Sequence, residues 1–488
     1  MIGSGTGARM CRGSFRGLFC FHLGIAVINV IMGEIFEGGT TMIEINQHRY
    51  SFPKVLTFGF LLVIAIGTLL LLLPVATRAG LHTSFMTAFF TATSATCVTG
   101  LTLVGTASHW TLFGQVVIAA LLEVGGLGFM TFAVMTSLLI RRRLRMSTRL
   151  LVQESLNLDH ASQVQVVTLV IRLSLLIQLL GTVLLYLDFG PRYGWRRGLW
   201  LSLFHAMSAF CNAGFDLFGN SLANFANDPY LLVVFAFLII AGSFGFLVWQ
   251  DLLQYRKRHR MSLHTHLALR TGAIIMTLSV IVYLLTEKNL TQLSGQLSWG
   301  ERLVNTVFMA ITPRTAGLTT FDYTKLTPAG LSYTMILMFI GGTPGSTAGG
   351  IKTTTIGLLA LQALATLRGQ RDATLAQRRF RVENVFRALT LLFVGLAIIS
   401  LAILILAETQ DLPKHNSLSY LTFEVLAAFG TTGISLGITA KLNLLGQLVV
   451  MVLMFIGRVG IYTVMFSLFN AQPKQPNYRY PEEGIPIG

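Results

Sequence analysis

The sequence predicts an all-α polytopic membrane protein. It would be built from four units, each a span, a short re-entrant helix and a second span, set around a pseudo-fourfold axis. Three observations carry that reading. Charged residues make up 11% of the 488, against about 25% in an average soluble domain, and 53% are hydrophobic. The apolar residues fall in blocks of bilayer length, and a polar, glycine-bearing run recurs four times. Length alone would give about three globular domains, but a mean hydropathy of +0.67 excludes a soluble protein.

The blocks come in order. Leu56–Leu73, Tyr230–Trp249 and Ala388–Ala407 carry no charge and approach the roughly 20 residues that cross a bilayer core. Leu112–Ile140 carries only Glu123, Val164–Leu187 only Arg172 and Leu442–Phe469 only Arg458, while Thr271–Thr286 is uncharged but short. The eighth block, Leu331–Leu367, is interrupted by Gly341-Gly342-Thr343-Pro344-Gly345-Ser346-Thr347-Ala348-Gly349-Gly350, a run that no continuous helix tolerates. A broken span must face protein or water, never lipid. Between the spans lie apolar stretches too short to cross: Thr83–Thr96, Leu199–Cys211, Leu303–Thr312 and Leu418–Phe429. Such stretches read as buried or re-entrant helices.

The net charge of +16 raises the idea of a nucleic-acid partner. Its distribution answers that idea: Arg141–Arg149, Arg256–Arg270 and Arg368–Arg387 hold sixteen Lys and Arg between them, and the opposite loops share nine. The charge is therefore topological, and no nucleic acid is expected. By the positive-inside rule the three basic loops, the Lys54 side and the tail after Phe469 are cytoplasmic.

Each short stretch ends in a related run. Ser94-Ala95-Thr96-Cys97-Val98-Thr99-Gly100-Leu101 and Ser208-Ala209-Phe210-Cys211-Asn212-Ala213-Gly214-Phe215 match at Ser, Ala, Cys and Gly. Thr312-Pro313-Arg314-Thr315-Ala316-Gly317 and Ala428-Phe429-Gly430-Thr431-Thr432-Gly433 keep the glycine in register. These glycines are 114, 103 and 116 residues apart, and Gly125, Gly242, Gly341 and Gly457 follow them at 25, 28, 24 and 24 residues. Recurrence of this kind marks internal repeats, giving boundaries of 54–149, 150–262, 263–380 and 381–472. Residues 1–53 form an N-terminal extension and 473–488 a tail. Four like units in one membrane close most simply around an axis. A re-entrant helix presents its unpaired carbonyl end to the loop that follows it, and rings of loop carbonyls can replace the hydration shell of a monovalent cation.

These residues resemble a known family. The runs around Gly100, Gly214, Gly317 and Gly433 are similar to the four filter sequences of the Trk/Ktr/HKT potassium-transport superfamily. So are Gly345-Ser346-Thr347-Ala348-Gly349-Gly350-Ile351-Lys352-Thr353 and Phe455-Ile456-Gly457-Arg458-Val459-Gly460, and the likeness runs from Lys54 to Phe469. With eight spans the chain looks most like a Ktr-type membrane subunit. The resemblance implies potassium uptake across the cell membrane, with potassium at a filter of Thr96, Cys97, Val98, Thr99, Gly100, Cys211, Asn212, Ala213, Gly214, Arg314, Thr315, Ala316, Gly317, Gly430, Thr431, Thr432 and Gly433. It implies a gate of Gly341, Gly342, Pro344, Gly345, Ser346, Thr347, Ala348, Gly349, Gly350, Lys352 and Arg458. It implies a homodimer on a cytosolic ring of nucleotide-binding regulatory subunits, with the lipid bilayer as surroundings, no cofactor in this chain and potassium as substrate. Sodium as activator or co-ion stays open. In plant relatives a serine at the first filter glycine goes with sodium selectivity; here that position is Gly100, in keeping with potassium, and a sodium-conducting relative of the same superfamily is the alternative.

Other chemistry finds little support. The Gly345–Thr353 run misses the phosphate-loop pattern because Ile351 separates Gly350 from Lys352 and no strand precedes it. Gly3–Gly7 is no dinucleotide fingerprint. Cys11, Cys20, Cys97 and Cys211 lack metal-ligand spacing. His205 beside Ser208 reads as a packed histidine, and no enzyme is expected. Arg458 is read either as a cation beneath the filter or as the partner of Glu123. Lys352 is read as gate or helix cap, and Arg314 with Glu424 as a salt bridge bracing the loops. Leu18–Met32 fits a signal-like segment, an extra membrane-associated helix, or sequence upstream of a start at Met32 or Met42.

Overall fold

The computed structural model describes residues 43–45, 48–50, 52–128, 163–287, 297–410 and 417–469. Leu18–Met32, Cys11, Cys20, His415, the Arg141–Arg149 loop and the tail 473–488 lie outside the described residues. So does the second half of the expected Leu112–Ile140 span.

Four units follow one another. The first has a span Phe52–Leu71, a short helix Phe85–Thr96 and a second helix Leu112–Leu127. The next begins with Gln163–Tyr193 and Trp195–Phe210, followed by Pro229–Ser243 and Phe246–Arg258. The third comprises Leu263–Thr286, Trp299–Ile311, Pro328–Phe339 and Thr353–Leu367. Val382–Thr409, Ser417–Phe429, Leu444–Val459 and Ile461–Phe469 make the last. The two strand pairs are small hairpins, Ile43–Ile45 with His48–Tyr50 and Thr374–Leu375 with Arg378–Arg379.

Burial separates the two kinds of helix. The short helices form the core: Phe90, Phe204, Phe210, Phe308, Phe423 and Phe429 are all at most 1% exposed. The four long spans bury only 22–39% of their apolar windows. Their other faces present Leu180, Leu187, Ile274, Leu285, Phe393 and Leu404 outward. Apolar surface of that extent on helices of bilayer length belongs in lipid, so this is a multi-pass membrane protein.

The second helix of every unit starts on a side-chain cap. Thr111, Asp228, Thr327 and Asn443 accept from the backbone N–H of Gly114, Leu231, Gly330 and Gly446 at 3.4, 3.2, 3.1 and 2.8 Å. Each cap satisfies one of the donors that a helix start leaves unpaired.

The structure corrects three of the expected spans. Tyr230–Trp249 and Leu442–Phe469 are not straight: their helix pairs bend by 95° and 103°. Leu112–Leu127 stops at Gly128. Gly128, Gly245 and Gly460 sit at these breaks with φ of +83°, +77° and +96° and ψ near 140° in all three. Only glycine reaches that region without strain. Repeat three, expected to be broken, is interrupted from Ile340 to Lys352, with Gly345 at φ +70°.

Candidate functional site

The loops after the four short helices share one backbone pattern. Val98 and Thr99 donate their N–H to Ala95 and Ser94 at 3.1 and 2.8 Å. Asn212 and Ala213 do so to Ala209 and Ser208, and Thr431 and Thr432 to Ala428 and Ala427, at the same two distances. In the third loop Arg314 bonds Ile311 at 3.1 Å and Ala316 bonds Thr312 at 2.9 Å. The N–H groups thus turn back onto the helix ends. The carbonyls of Val98, Thr99, Asn212, Ala213, Thr315, Ala316, Thr431 and Thr432 accept no hydrogen bond from any described residue.

The dihedrals repeat as well. Val98, Asn212, Thr315 and Thr431 have φ of +55°, +58°, +81° and +51°, and the glycines two residues later +92°, +69°, +76° and +80°. A non-glycine residue in that region costs on the order of 1–3 kcal/mol and persists only where its surroundings impose it. Alternating the sign of φ along three residues turns successive carbonyls toward one side of the strand.

The four glycines close a ring. A methyl group placed on Gly100 would lie 3.0 Å from Gly214 Cα, one on Gly214 3.2 Å from Gly317 Cα, and one on Gly433 3.0 Å from Gly100 Cα. On Gly317 it would strike the Thr432 carbonyl oxygen. The carbonyls that meet these added methyls are those of Ala213, Ala316, Thr432 and Thr99, in cyclic order. The hydroxyls of Thr96, Thr99, Thr315 and Thr431 are buried with no hydrogen-bond partner among the described residues. The second glycines hold the ring from outside: methyls on Gly125, Gly242 and Gly457 would meet the carbonyls of Thr96, Phe210 and Phe429.

The broken segment of repeat three lies against this ring. Asn212 Nδ2 donates to Ser243 Oγ at 2.9 Å and to Thr347 Oγ1 at 3.0 Å, and Thr347 Oγ1 donates to the Phe210 carbonyl at 3.0 Å. Thr347 N bonds Gly242 O at 3.2 Å, Thr343 N bonds Ser243 O at 3.1 Å, and Gly350 N bonds Gly457 O at 3.2 Å. A methyl on Gly349 would meet Thr431. The segment therefore runs between repeats two and four.

The model of the TrkH cation transport proteins matches residues 44–480. The chain belongs to the TrkH family. It is similar to the potassium/sodium uptake protein NtpJ of Enterococcus hirae, at 45% identity over 92% of this chain and 100% of that protein. It is also similar to the Ktr system potassium uptake protein B of Bacillus subtilis, at 38% identity over 90% of this chain and 97% of the relative. The fold matches the crystal structure of the potassium transporter TrkH from Vibrio parahaemolyticus with a TM-score of 0.67 at 18% identity, covering 92% and 96% of the two chains. The TrkH family is one of cation transport, not of enzymes.

In this TrkH-family chain neither of the two ion pairs considered in the sequence is formed. Arg458 does not pair with Glu123. Its Nε donates to Gly125 O at 3.0 Å and its Nη2 to Gly126 O at 2.7 Å, with further bonds from Nη2 to Gly125 O and from Nη1 to Thr347 O. Gly125 and Gly126 lie in the last turn of Leu112–Leu127, where a helix has carbonyls to spare. Glu123 instead accepts two bonds from Gln178 Nε2, at 3.1 and 3.0 Å. Arg314 and Glu424 form no salt bridge either. Arg314 turns away from the ring to Thr353 Oγ1 at 3.1 Å, and Glu424 accepts from Ser435 at 2.9 Å and from Thr439.

Lys352 folds back on its own segment, with Nζ 2.7 Å from Ala348 O and 3.4 Å from Gly349 O. Cys97 and Cys211 are free and buried, and no group of metal ligands occurs among the described residues. His205 is packed: Nδ1 lies 2.7 Å from Leu201 O, Nε2 accepts from Leu217 N at 3.2 Å, and Phe218 stacks on the ring at 4.4 Å.

Proposed function

We propose that the chain takes up potassium across the cell membrane, with the ring of loops as its selectivity filter. The observation that carries this reading is the set of eight loop carbonyls without donors, contributed in register by four units. A dehydrated monovalent cation needs such oxygens, and the four short helices aim their partially negative ends at them. The ion-binding residues are Thr96–Gly100, Cys211–Gly214, Arg314–Gly317 and Gly430–Gly433, acting chiefly through backbone oxygen. Cys97, Arg314 and Gly430 shape the ring from outside it.

The segment Gly341–Gly350 with Lys352 and Arg458 is the gate. Arg458 ties Thr347 to the end of the first unit's second helix, so the segment is held beneath the ring by donors from repeats two and four, Asn212 and Arg458 among them. Repeat boundaries at 54–149, 150–262, 263–380 and 381–472 make each unit contribute one loop. The Arg256–Arg270 and Arg368–Arg387 loops face the cytoplasm, as do the termini of the 54–488 core. A homodimer seated on a ring of cytosolic nucleotide-binding subunits completes the assembly, in keeping with the Ktr system name of the Bacillus relative. The Enterococcus relative's name includes sodium, so sodium is varied in the test.

The deciding experiment measures potassium uptake at micromolar to millimolar potassium, with and without sodium, in cells stripped of their own uptake systems. Saturable potassium uptake supports the reading. Sodium uptake indifferent to potassium would establish the sodium-conducting alternative.

A further inference from the structure

The first span of repeat four marks where the bilayer ends. Ala388–Ala407 holds no charge, and its 20 residues rise about 30 Å, the thickness of a hydrocarbon core. The helix begins earlier, at Val382, and Glu383 and Arg387 are the charges on that overhang of about 9 Å. A headgroup layer is about 5–8 Å deep. Apolar exposure runs through it along one helix face, from Val382 and Phe386, 52% and 65% exposed, to Leu389, Phe393 and Leu396. The start of this helix therefore stands among lipid headgroups.

A cleft of about 720 Å³ opens at that level, far from the ring. One wall is the hairpin of Thr374–Leu375 and Arg378–Arg379. Leu375 and the adjoining Phe380 pack against the cluster of Leu267, Leu358 and Ala388, and Gln362 donates to Arg371 O and accepts from Ala373 N, both at 3.1 Å. The other wall is the first turns of Val382–Thr409. The charges of the cleft do not balance: Arg379, Arg381 and Arg387 stand against Asp372 and Glu383, three positive to two negative. Asp372 is taken by Arg379 at 3.5 Å, and Glu383 lies in the first turn, at the positive end of the helix. Arg381 and Arg387 are exposed and form no ion pair among the described residues.

The missing partner has one negative charge and an apolar body. A phosphodiester supplies the charge, and its oxygens suit two guanidinium forks. Val382, on the rim of the same cleft, leads from the arginines to the exposed stripe of Phe386 and Leu389, which acyl chains would cover. A zwitterionic lipid would bring an ammonium group that cancels the gain. An acidic protein segment would satisfy the arginines but leave the apolar rim uncovered.

We propose that this cleft holds the headgroup of one anionic phospholipid, its phosphate on Arg381 and Arg387 and its acyl chains along Val382, Phe386 and Leu389. The proposal rests on the membrane fold and not on the filter or the gate. The test is native mass spectrometry of the full-length protein in detergent, titrated with phosphatidylglycerol or with phosphatidylcholine. Phosphatidylglycerol should be retained in preference, and the double variant Arg381→Gln with Arg387→Gln should weaken its tightest binding by about tenfold or more at unchanged melting temperature. Arg371→Gln, in the same loop but outside the cleft, should bind as wild type. If the double variant does not fold, Val382→Glu at the exposed rim supplies the missing negative charge and should expel the lipid. The proposal is overturned if phosphatidylcholine is retained equally, if the double variant or Val382→Glu keeps the lipid, or if Arg371→Gln loses as much as the double variant, since a basic loop would then attract anions without a site. Displacement by glycerol phosphate at equal concentration would give the cleft to a soluble phosphate, and displacement by a polyglutamate peptide would give it to an acidic protein; either result refutes the lipid.

Discussion

Replacing Thr347 with valine keeps the shape of the side chain and removes one hydroxyl. That hydroxyl accepts from Asn212 Nδ2 and donates to Phe210 O, both at 3.0 Å, so two bonds between the broken segment and the second loop are lost. Each is worth about 0.5–1.5 kcal/mol net, or about 1–3 kcal/mol for the pair. If the segment must leave the ring for ions to pass, the loss acts on the closed state alone. The ratio of open to closed molecules then rises by roughly 5- to 150-fold. Asn212 keeps its 2.9 Å bond to Ser243, so the second loop stays in place and apparent affinity for potassium should not move. The assay is rubidium flux into proteoliposomes per folded molecule, alongside Thr347→Ser, which restores the hydroxyl and should behave as wild type. Unchanged maximal flux in Thr347→Val, at normal yield and melting temperature, would refute the gating argument. A changed affinity at unchanged maximal flux would show instead that Thr347 belongs to the filter.

Three further outcomes are expected. A side chain at the ring glycines should weaken discrimination between potassium and sodium, with a predictable order. Gly214→Ala should be mildest, since its nearest contact is 3.2 Å, whereas methyls on Gly100, Gly317 and Gly433 run into carbonyl oxygens; sodium competition in each variant checks the order. Arg458→Ala should raise flux per folded molecule by about tenfold or more, because charge-assisted bonds are worth about 1.5–3 kcal/mol each. Arg458→Lys keeps the charge but not the fork that reaches Gly125, Gly126 and Thr347, so an intermediate flux marks the tether and a wild-type flux marks the charge. Burial holds the His109 imidazole below its usual pKa of 6.5. The folded state therefore takes up its proton later than the unfolded chain as pH falls, and stability should decline below pH 6.5. His109→Gln should flatten that part of a melting-temperature profile.

The ring glycines were readable because their recurrence is a property of the sequence and their positive φ admits few other residues. The second glycines were readable too, but only as spacing; their reason, close approach to Thr96, Phe210 and Phe429, needs coordinates. The breaks at Gly128, Gly245 and Gly460 were missed, although each follows a second glycine by three residues. One glycine in an apolar run costs about 1 kcal/mol in helix propensity, and hydropathy is blind to it. In repeat three, by contrast, ten consecutive residues rich in Gly, Ser, Thr and Pro announce the interruption. The caps Thr111, Asp228, Thr327 and Asn443 escaped because they follow the ring glycines at 11, 14, 10 and 10 residues, a drift that hides the repeat.

The two expected ion pairs failed for a different reason. A charge in a span invites a search for the opposite charge, which offered Glu123 as the alternative partner of Arg458 and Glu424 as that of Arg314. A backbone carbonyl has no sequence signature, yet Arg458 and Lys352 use nothing else. Carbonyls are available here because the second helices end inside the membrane: Leu112–Leu127 stops at Gly128, and the segment from Ile340 to Lys352 is not helical. Each interruption leaves acceptors that hydrocarbon cannot satisfy, and each cation leaves donors with the same need. The interruptions and the cations thus stabilise one another. A basic residue one or two positions from a glycine in an otherwise apolar span, as Arg458 stands to Gly457 and Gly460, is therefore better matched to the carbonyl end of a neighbouring broken helix than to the nearest acid in the sequence.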